Sequence, residues 1–312
     1  MTEVGDSTPT QRSVWASRLE RALLGVVGAV LCVAVSSVQA VTAVNIGPLV
    51  FRPVPGLVAV AGLVGGPAAV VGSTLGYLAY RIVTGVPAVW ESVGLLVLGL
   101  LTYLLWNRFG SVRHQHPLRA PPLVQAREFA VAVGIASLGA AVVSSWGYEI
   151  AGTLPFFPTA LFVATEYAAS AVVWGGLVLV AVPRFVSEER WRAMVDAIRP
   201  TEDGRTGESR TWVVVTAAIL FAWFLLGSAI SGWFQVVELV PPFHLRLRGL
   251  DPLLVFTEAG PFGRGGVILQ IAVGTTLATL WILSSLRWGL LPYGRDQDRD
   301  RDVDRHQRQQ NN

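Results

Sequence analysis

Acidic side chains within long apolar stretches are the residues of this sequence best suited to chemistry. Glu166 lies in the apolar run PFFPTALFVATEYAASAVVW. A charged group at membrane depth costs several kcal/mol unless it is paired or hydrated. It is predicted about eight residues, roughly 12 Å, into its span, with Thr159 and Ser170 on the same helical face. Two interpretations stay open: a ligand or cation contact in an outward-facing cavity, or a structural hydrogen bond to another helix.

A second polar stripe leads toward the same predicted outer face. It runs through Ser73, Tyr77, Arg81 and Thr84. Glu91 opens the next apolar segment, so Arg81 and Glu91 are expected either to pair or to bind opposite ends of a zwitterion. Aromatic residues at this level also serve as interfacial anchors. The candidate ligand-binding residues are therefore Glu166, Arg81, Glu91, Tyr77, Arg52, Gln39, Asn45 and Trp90.

Enzyme chemistry finds no support in the sequence. All 24 basic residues are arginine, which excludes a lysine Schiff base and a phosphate-loop lysine. Cys32 is the single cysteine, so disulfides and cysteine metal sites are excluded, and His114 and His116 lack a third ligand. We therefore expect no catalytic residues, no metal and no cofactor.

The composition is that of an integral membrane protein. Hydrophobic residues make up 52% and charged residues 14% of the 312 residues. Eight apolar segments are each near the length of a tilted span. They are Ala22–Val44, Pro48–Gly65, Pro67–Val86, Trp90–Trp106, Glu128–Ile150, Thr159–Val182, Thr211–Phe234 and Gly266–Leu286. The expected fold is all-α and polytopic, with about eight transmembrane helices.

The stretch from Arg52 to Arg81 is too long for one simple crossing. Its 30 residues would form a helix of about 45 Å, against a hydrocarbon core of about 30 Å. Gly65, Gly66 and Pro67 interrupt it near the middle, where glycine and proline both disfavour helix. The sequence predicts two helices joined by a tight turn, forming either two full spans or a re-entrant hairpin.

Arginine placement predicts the orientation. Nineteen of the 24 arginines fall in segments that are cytoplasmic if the N-terminus is inside. Arg52, Arg81, Arg246, Arg248 and Arg264 fall outside. The positive-inside rule then places both termini in the cytoplasm of a multi-pass plasma-membrane protein. The basic composition is explained by this orientation, so the lipid bilayer and not nucleic acid is the expected partner.

The predicted organisation has five parts. Residues 1–21 form a cytoplasmic segment and residues 22–183 a six-helix membrane core. Residues 184–210 form a cytoplasmic amphipathic helix and a linker, and the apolar face of that helix is expected on the inner membrane surface or against a cytoplasmic partner. Residues 211–290 form a two-helix appendix with an outer loop, and residues 291–312 a disordered tail.

Two motifs resemble a known family. The stretches FRPVPGLVAVAGLVGGPAAVVGSTLGYLAY and WESVGLLVLGLLTYLLWNRF resemble the S components of energy-coupling-factor (ECF) transporters. The resemblance covers roughly residues 20–185, and LytS-type membrane sensor domains look similar in the same hairpin. It implies a six-helix core in a prokaryotic cell membrane. It also implies that a small-residue face on the first helix, with Gly25 and Ala29, docks a coupling subunit, although ordinary internal packing is the better explanation of these residues.

Three functions follow as expectations. The first is the small-molecule binding subunit of an ECF-like importer, which requires separate coupling and ATPase subunits because the chain has no ATP-binding motif. The second is a membrane sensor or interaction protein that acts through a separate signalling partner. The third is a non-catalytic structural membrane protein.

Overall fold

Helices account for nearly all of the structure that can be described. The computed structural model describes residues 11–42, 44–46, 49–85, 88–106, 122–177, 206–239 and 264–287. At several helix ends and in both strands only the backbone is described. The helices are α1 (Gln11–Thr42), α2 (Pro53–Val83), α3 (Val89–Trp106), α4 (Pro122–Ile150), α5 (Phe156–Ser170), α6 (Thr206–Leu239) and α7 (Arg264–Arg287).

Seven helices in the described residues are long and apolar enough to cross a membrane. Their outward faces carry large exposed apolar side chains, such as Leu23, Val30, Phe221 and Ile282. In water such a surface would be strongly unfavourable, whereas lipid solvates it. The architecture is thus that of a polytopic helical membrane protein.

Helix α2 folds back on itself at Gly66. Gly66 has φ 63° and ψ −162°, a backbone conformation that is non-helical and open almost only to glycine. Pro67 follows at once and begins the next helical stretch, where its missing N–H costs little. The result is a hairpin of a first arm, residues 53–65, and a second arm, residues 67–83.

The position of the two ends of α2 confirms the hairpin. Arg52, just before the first arm, and Arg81, near the end of the second, both contact the carboxylate of Glu91. An unbroken helix of this length would hold these residues about 45 Å apart. The arms are about 20 Å and 26 Å long, so each is shorter than a bilayer core of about 30 Å.

Helix α1 packs against the second arm of the hairpin through small residues. A Cβ atom on Gly72 would overlap the backbone of Gly25, and one on Gly76 would lie 2.5 Å from the carbonyl oxygen of Ala29. Such close backbone approach is how helices associate without a hydrophobic drive from water. Gly25 and Ala29 are therefore used for packing inside this chain, so the second of their two interpretations is confirmed.

A short β-ribbon joins α1 to α2. Val44–Ile46 (β1) pairs antiparallel with Leu49–Phe51 (β2), with Asn45 opposite Val50. The expected helix start at Pro48 is therefore wrong, as is the extension of the first helix to Val44. Pro53 and Pro55 explain the later start, because proline is tolerated in a first helical turn but cannot donate within a helix.

The remaining core helices pack in chain order. Helix α3 packs against α2 and α4, and α4 packs against α5. Helix α5 continues as a π-helical turn, Ala171–Gly175, which lies against the first arm of α2, where Gly56 meets the backbone of Ser170 and Gly175. Glu166 thus lies one turn before a π-helical insertion, a feature that often accompanies functional sites.

Helices α6 and α7 pair with each other and pack against α4. The buried amide of Gln270 in α7 donates to the carbonyl of Gly227 in α6 at 2.8 Å. Trp146 of α4 donates through its indole nitrogen to the backbone carbonyl of Gln270 at 2.9 Å. Directional hydrogen bonds of this kind add to van der Waals packing between helices in an apolar medium.

Several predicted features lie outside the described residues. They are the arginine-bearing loop with His114 and His116, the amphipathic helix expected within residues 184–210, the loop with His244, and the C-terminal tail. Each of these stays a prediction.

The α1–α2 contact predicts the effect of a single methyl group. We expect Gly72→Ala to destabilise the protein by about 1–3 kcal/mol, because the added Cβ overlaps the Gly25 backbone. Gly134→Ala in α4 is the matched control, because no neighbouring atom lies within 4 Å of its added Cβ. Thermal unfolding in a mild detergent measures both variants. Equal melting temperatures for the two would contradict the close approach of α1 and α2.

Candidate functional site: an arginine and glutamate cluster

Two arginines and two glutamates converge at the open end of the α2 hairpin. Arg52 Nη1 lies 2.8 Å from Glu91 Oε1 and Arg52 Nε lies 3.1 Å from Glu166 Oε1. Arg81 Nη2 lies 3.9 Å from Glu91 Oε2. The side chains therefore form a chain of contacts in the order Glu166, Arg52, Glu91, Arg81. We call these four residues the charge cluster.

The helix geometry accounts for this convergence. Arg52 and Arg81 stand at nearly the same number of residues before and after Gly66, so the hairpin carries both to one level. Glu91 is in the first turn of α3, which begins at that level. Glu166 is ten residues into α5, about 15 Å of helix from Phe156. Its side chain points back toward the start of α5, as helical side chains do, and so toward Arg52.

The cluster is open on one side and closed on the other. The Arg52, Arg81 and Glu91 side chains are 28%, 26% and 17% exposed, whereas the Glu166 side chain is 5% exposed. Glu166 is therefore the most buried member. A polar molecule that approached from the open end of the hairpin would meet the arginines and Glu91 before it met Glu166.

Tyrosine side chains from three helices surround Glu91. The Tyr167 hydroxyl donates to the Glu91 backbone carbonyl at 3.4 Å. The hydroxyl of Tyr77 interacts with the Glu91 carboxylate, and that of Tyr148 with the Glu91 backbone. The guanidinium of Arg81 lies 5.9 Å from the centre of the Tyr77 ring, within the range of a cation–π contact. These rings surround the ions with apolar surface that ends in hydroxyl groups.

The electrostatics of the cluster are balanced but not fully satisfied. Two guanidinium groups and two carboxylates sum to zero charge, which limits the cost of holding them away from water. Only the Arg52–Glu91 contact is also a hydrogen bond. Glu166 Oε1 and Arg81 Nε are buried and have no hydrogen-bond partner among the described residues. The outer members of the chain thus retain unused hydrogen-bonding capacity.

The structure brings together five of the eight predicted ligand-binding residues. Four are the cluster itself, and the fifth is Tyr77. Trp90 instead lies against Gly147 of α4, where it packs between two helices. Gln39 and Asn45 are placed by backbone only, in α1 and β1, and their side chains lie outside the described residues. The expected contact between Arg81 and Glu91 is present, although at 3.9 Å it is longer than a hydrogen bond.

Three features of the site were not predicted from the sequence. Arg52 was expected on the outer side as a candidate ligand-binding residue, but it links Glu91 directly to Glu166. Tyr167 and Tyr148 were not among the ligand-binding candidates. The position of Tyr167 directly after Glu166 in the sequence could have identified Tyr167 as part of the site. The Glu149 carboxylate accepts the Phe156 backbone N–H at 3.1 Å and caps the start of α5.

Metal binding finds no support in the described part of the chain. No group of three or more histidine, cysteine, aspartate or glutamate side chains there is arranged to hold a metal ion. The guanidinium of Arg52 beside Glu166 also occupies the position that a cation would take. The cluster is better suited to bind organic ions through hydrogen bonds.

Comparison with known proteins identifies no relative. No family model, no curated protein and no solved structure matches the chain.

The contacts of Arg52 predict that Arg52→Gln lowers the stability of the protein strongly. Adding Glu166→Gln should restore part of it. Arg52→Gln leaves two carboxylates close together without their shared cation, so we expect a cost of about 3–5 kcal/mol. Glu166→Gln keeps the side-chain shape and leaves the Arg52–Glu91 pair intact, so its cost should be smaller. The double variant should be more stable than the sum of the single effects implies, with a coupling of about 0.5–3 kcal/mol. Thermal unfolding of the unchanged protein, the two single variants and the double variant gives this double-mutant cycle. Additive losses would show that Arg52 and Glu166 do not interact.

Proposed function

We propose that this chain is a multi-pass protein of the cell membrane with both termini in the cytoplasm. The two arms of α2 count as separate segments, which gives eight membrane segments with α1, α3, α4, α5, α6 and α7. The excess of arginine in the segments assigned to the cytoplasm supports this orientation. In this orientation the turn at Gly66 faces inward and the charge cluster faces outward.

Labelling of single cysteines tests this orientation. In a Cys32→Ser background, we expect Thr84→Cys to react with a membrane-impermeant thiol reagent added to whole cells. Pro67→Cys should react only after the membrane is permeabilised. Both positions are exposed and lie near opposite ends of the second arm, so each serves as the control for the other. Reaction of Pro67→Cys in intact cells would reverse the orientation.

Within this topology, the protein acts as the small-molecule binding subunit of an ECF-like importer. The observation that carries this function is the convergence of Arg52, Arg81, Glu91 and Glu166 at one end of the helix bundle. Charged groups within membrane segments mark substrate pathways by default, because their cost must be offset by a function or by pairing. Partial exposure of the first three residues gives a solute access to the most buried one.

An importer of this kind needs partners. The sequence has no nucleotide-binding loop, so energy must come from separate coupling and ATPase subunits. Because Gly25 and Ala29 pack within the chain, the coupling subunit would contact other surfaces, such as the lipid-exposed side of α1 with Leu23 and Val30.

A structural role is the second candidate, and a specific observation favours it. The Arg52 guanidinium already contacts two carboxylates, so the cluster fastens the start of the hairpin to α3 and α5 without any ligand. In that case the ion pairs would contribute to the fold alone. A sensor that acts through a separate signalling protein stands as a third function, which the same experiment addresses.

Co-purification separates these functions. We expect the full-length chain, purified in mild detergent from the organism that encodes it, to retain a coupling subunit and ATPase subunits. Mass spectrometry of the purified material identifies them, and a Gly72→Ala variant shows whether retention requires an intact bundle. Recovery of a histidine kinase in their place would favour the sensor. Recovery of the chain alone, together with no solute uptake in vesicles, would favour the structural role and contradict the importer.

A further inference from the structure

The Arg81 side chain has hydrogen-bonding capacity that none of the described residues uses. Its guanidinium carries five N–H donors, but its nearest carboxylate contact, to Glu91, is 3.9 Å long. Its Nε atom is buried without a hydrogen-bond partner among the described residues. A buried donor left unsatisfied costs roughly 1–3 kcal/mol, and in native structures such groups call for an explanation. A planar guanidinium with free donors is suited to bind a carboxylate or a phosphate.

Glu166 has unused hydrogen-bond acceptor capacity among the described residues, which complements the unused donor capacity of Arg81. Its side chain is 95% buried, and its Oε1 contacts Arg52 Nε at 3.1 Å in a geometry that does not form a hydrogen bond. An ionised carboxylate accepts several hydrogen bonds. The buried end of the cluster therefore has unused acceptor capacity, which an ammonium group would satisfy.

The hydrogen-bonded pair Arg52–Glu91 lies between these two groups. In the chain of contacts, Arg81 adjoins the Glu91 side of that pair and Glu166 adjoins the Arg52 side. Because the four side chains are already neutral together, a ligand with one net charge would leave an uncompensated charge in a buried site, which is costly. A ligand with one charge of each sign adds none.

From this arrangement we propose that the charge cluster binds a zwitterion whose anionic group contacts Arg81 and whose ammonium group contacts Glu166. This proposal rests on the binding function proposed above and specifies its substrate class. The ligand anion replaces the long Arg81–Glu91 contact, while Glu91 keeps its hydrogen bond to Arg52. The ammonium group donates to Glu166 and shares that carboxylate with Arg52.

The position of the Arg52–Glu91 pair also indicates the size of the ligand. In the chain of contacts the Arg52–Glu91 pair separates Arg81 from Glu166, so we infer that the two ligand charges are several bonds apart. In an α-amino acid the ammonium and carboxylate groups are attached to the same carbon, so its charges are closer together than this arrangement favours. Two sources supply the required chemistry: a free ω-amino acid, or the phosphate and ammonium of a phosphatidylethanolamine headgroup.

Isothermal titration of the purified full-length protein in a maltoside detergent tests the free solutes. The probes are 4-aminobutyrate and 6-aminohexanoate, with glycine as the short zwitterion and with butyrate and butylammonium as the two singly charged halves. We expect the two ω-amino acids to bind at least about tenfold more tightly than glycine or either half, a difference of about 1.4 kcal/mol. Equal binding of butyrate and 4-aminobutyrate, or tighter binding of glycine, would overturn the proposal.

Two variants and two matched controls locate the site. Arg81→Gln and Glu166→Gln should each weaken binding of the preferred ω-amino acid by at least about tenfold. Arg127→Gln, an exposed arginine, and Glu128→Gln, a buried glutamate of the same helix, should leave it unchanged. Unchanged binding in both Arg81→Gln and Glu166→Gln would overturn the proposed site even if the solute binds.

Experiments in nanodiscs of two lipid compositions test whether the ligand is a phosphatidylethanolamine headgroup. The melting temperature is compared in nanodiscs of phosphatidylglycerol alone and in nanodiscs that also contain phosphatidylethanolamine. Stabilisation by phosphatidylethanolamine that both Arg81→Gln and Glu166→Gln abolish, without binding of free ω-amino acids, would identify the headgroup as the ligand. No response to either source would overturn the zwitterion site.

Failure of this inference and failure of the importer function give different results. Titrations use the purified chain alone, whereas the importer function predicts co-purifying ATPase subunits. Recovery of those subunits without binding of any zwitterion would refute only the substrate class. Zwitterion binding without the subunits would refute only the importer.

Discussion

The break at Gly66 is the constraint on which the rest of the structure depends. With φ 63° and ψ −162°, this residue reverses the chain within what would otherwise be a helix of about 45 Å. The reversal returns Arg81 to the level of Arg52, so that both guanidinium groups reach the one carboxylate of Glu91. It also presents two arms to neighbouring helices, so that α1 packs on the second arm and α3 packs on both. A continuous helix would separate the two arginines, so that they could not both reach Glu91.

A structural role and the proposed binding function impose opposite requirements on the charge cluster. A cluster that only fastens helices is most stable when every donor and acceptor is satisfied, as in the hydrogen bond between Arg52 and Glu91. A binding site must instead leave some capacity for its ligand. Among the described residues, the Arg52–Glu91 pair is hydrogen-bonded, while Arg81 Nε and Glu166 Oε1 are not. This is the division that the proposed binding function requires: one pair joins the start of the hairpin to α3, and two groups are left for a ligand.

Local chemistry made part of this arrangement predictable from the sequence. Gly65, Gly66 and Pro67 indicated the turn, and the equal spacing of Arg52 and Arg81 around it brought both to one level. Charge within an apolar run singled out Glu166. The β-ribbon was missed because its residues are apolar, like those of a helix, and the run is too short to show a period. The choice of Arg52 as the partner of Glu166 was also missed, because it depends on how α5 packs against the first arm, which sequence spacing does not specify.

Helix α6 contributes to the position of Glu166 although it carries none of the cluster. The first backbone N–H groups of a helix have no partner within it, and in an apolar medium they must find one elsewhere. At the start of α5, Phe156 donates to the Glu149 carboxylate, and Phe157 donates to the Ser231 hydroxyl of α6 at 3.4 Å. The Phe156 ring also lies directly against Gly227 of α6. Because Glu166 lies on the same continuous helix, these contacts with α4 and α6 fix its height and rotation relative to Arg52. Helix α6, together with Glu149 of α4, therefore helps to position the most buried carboxylate of the cluster.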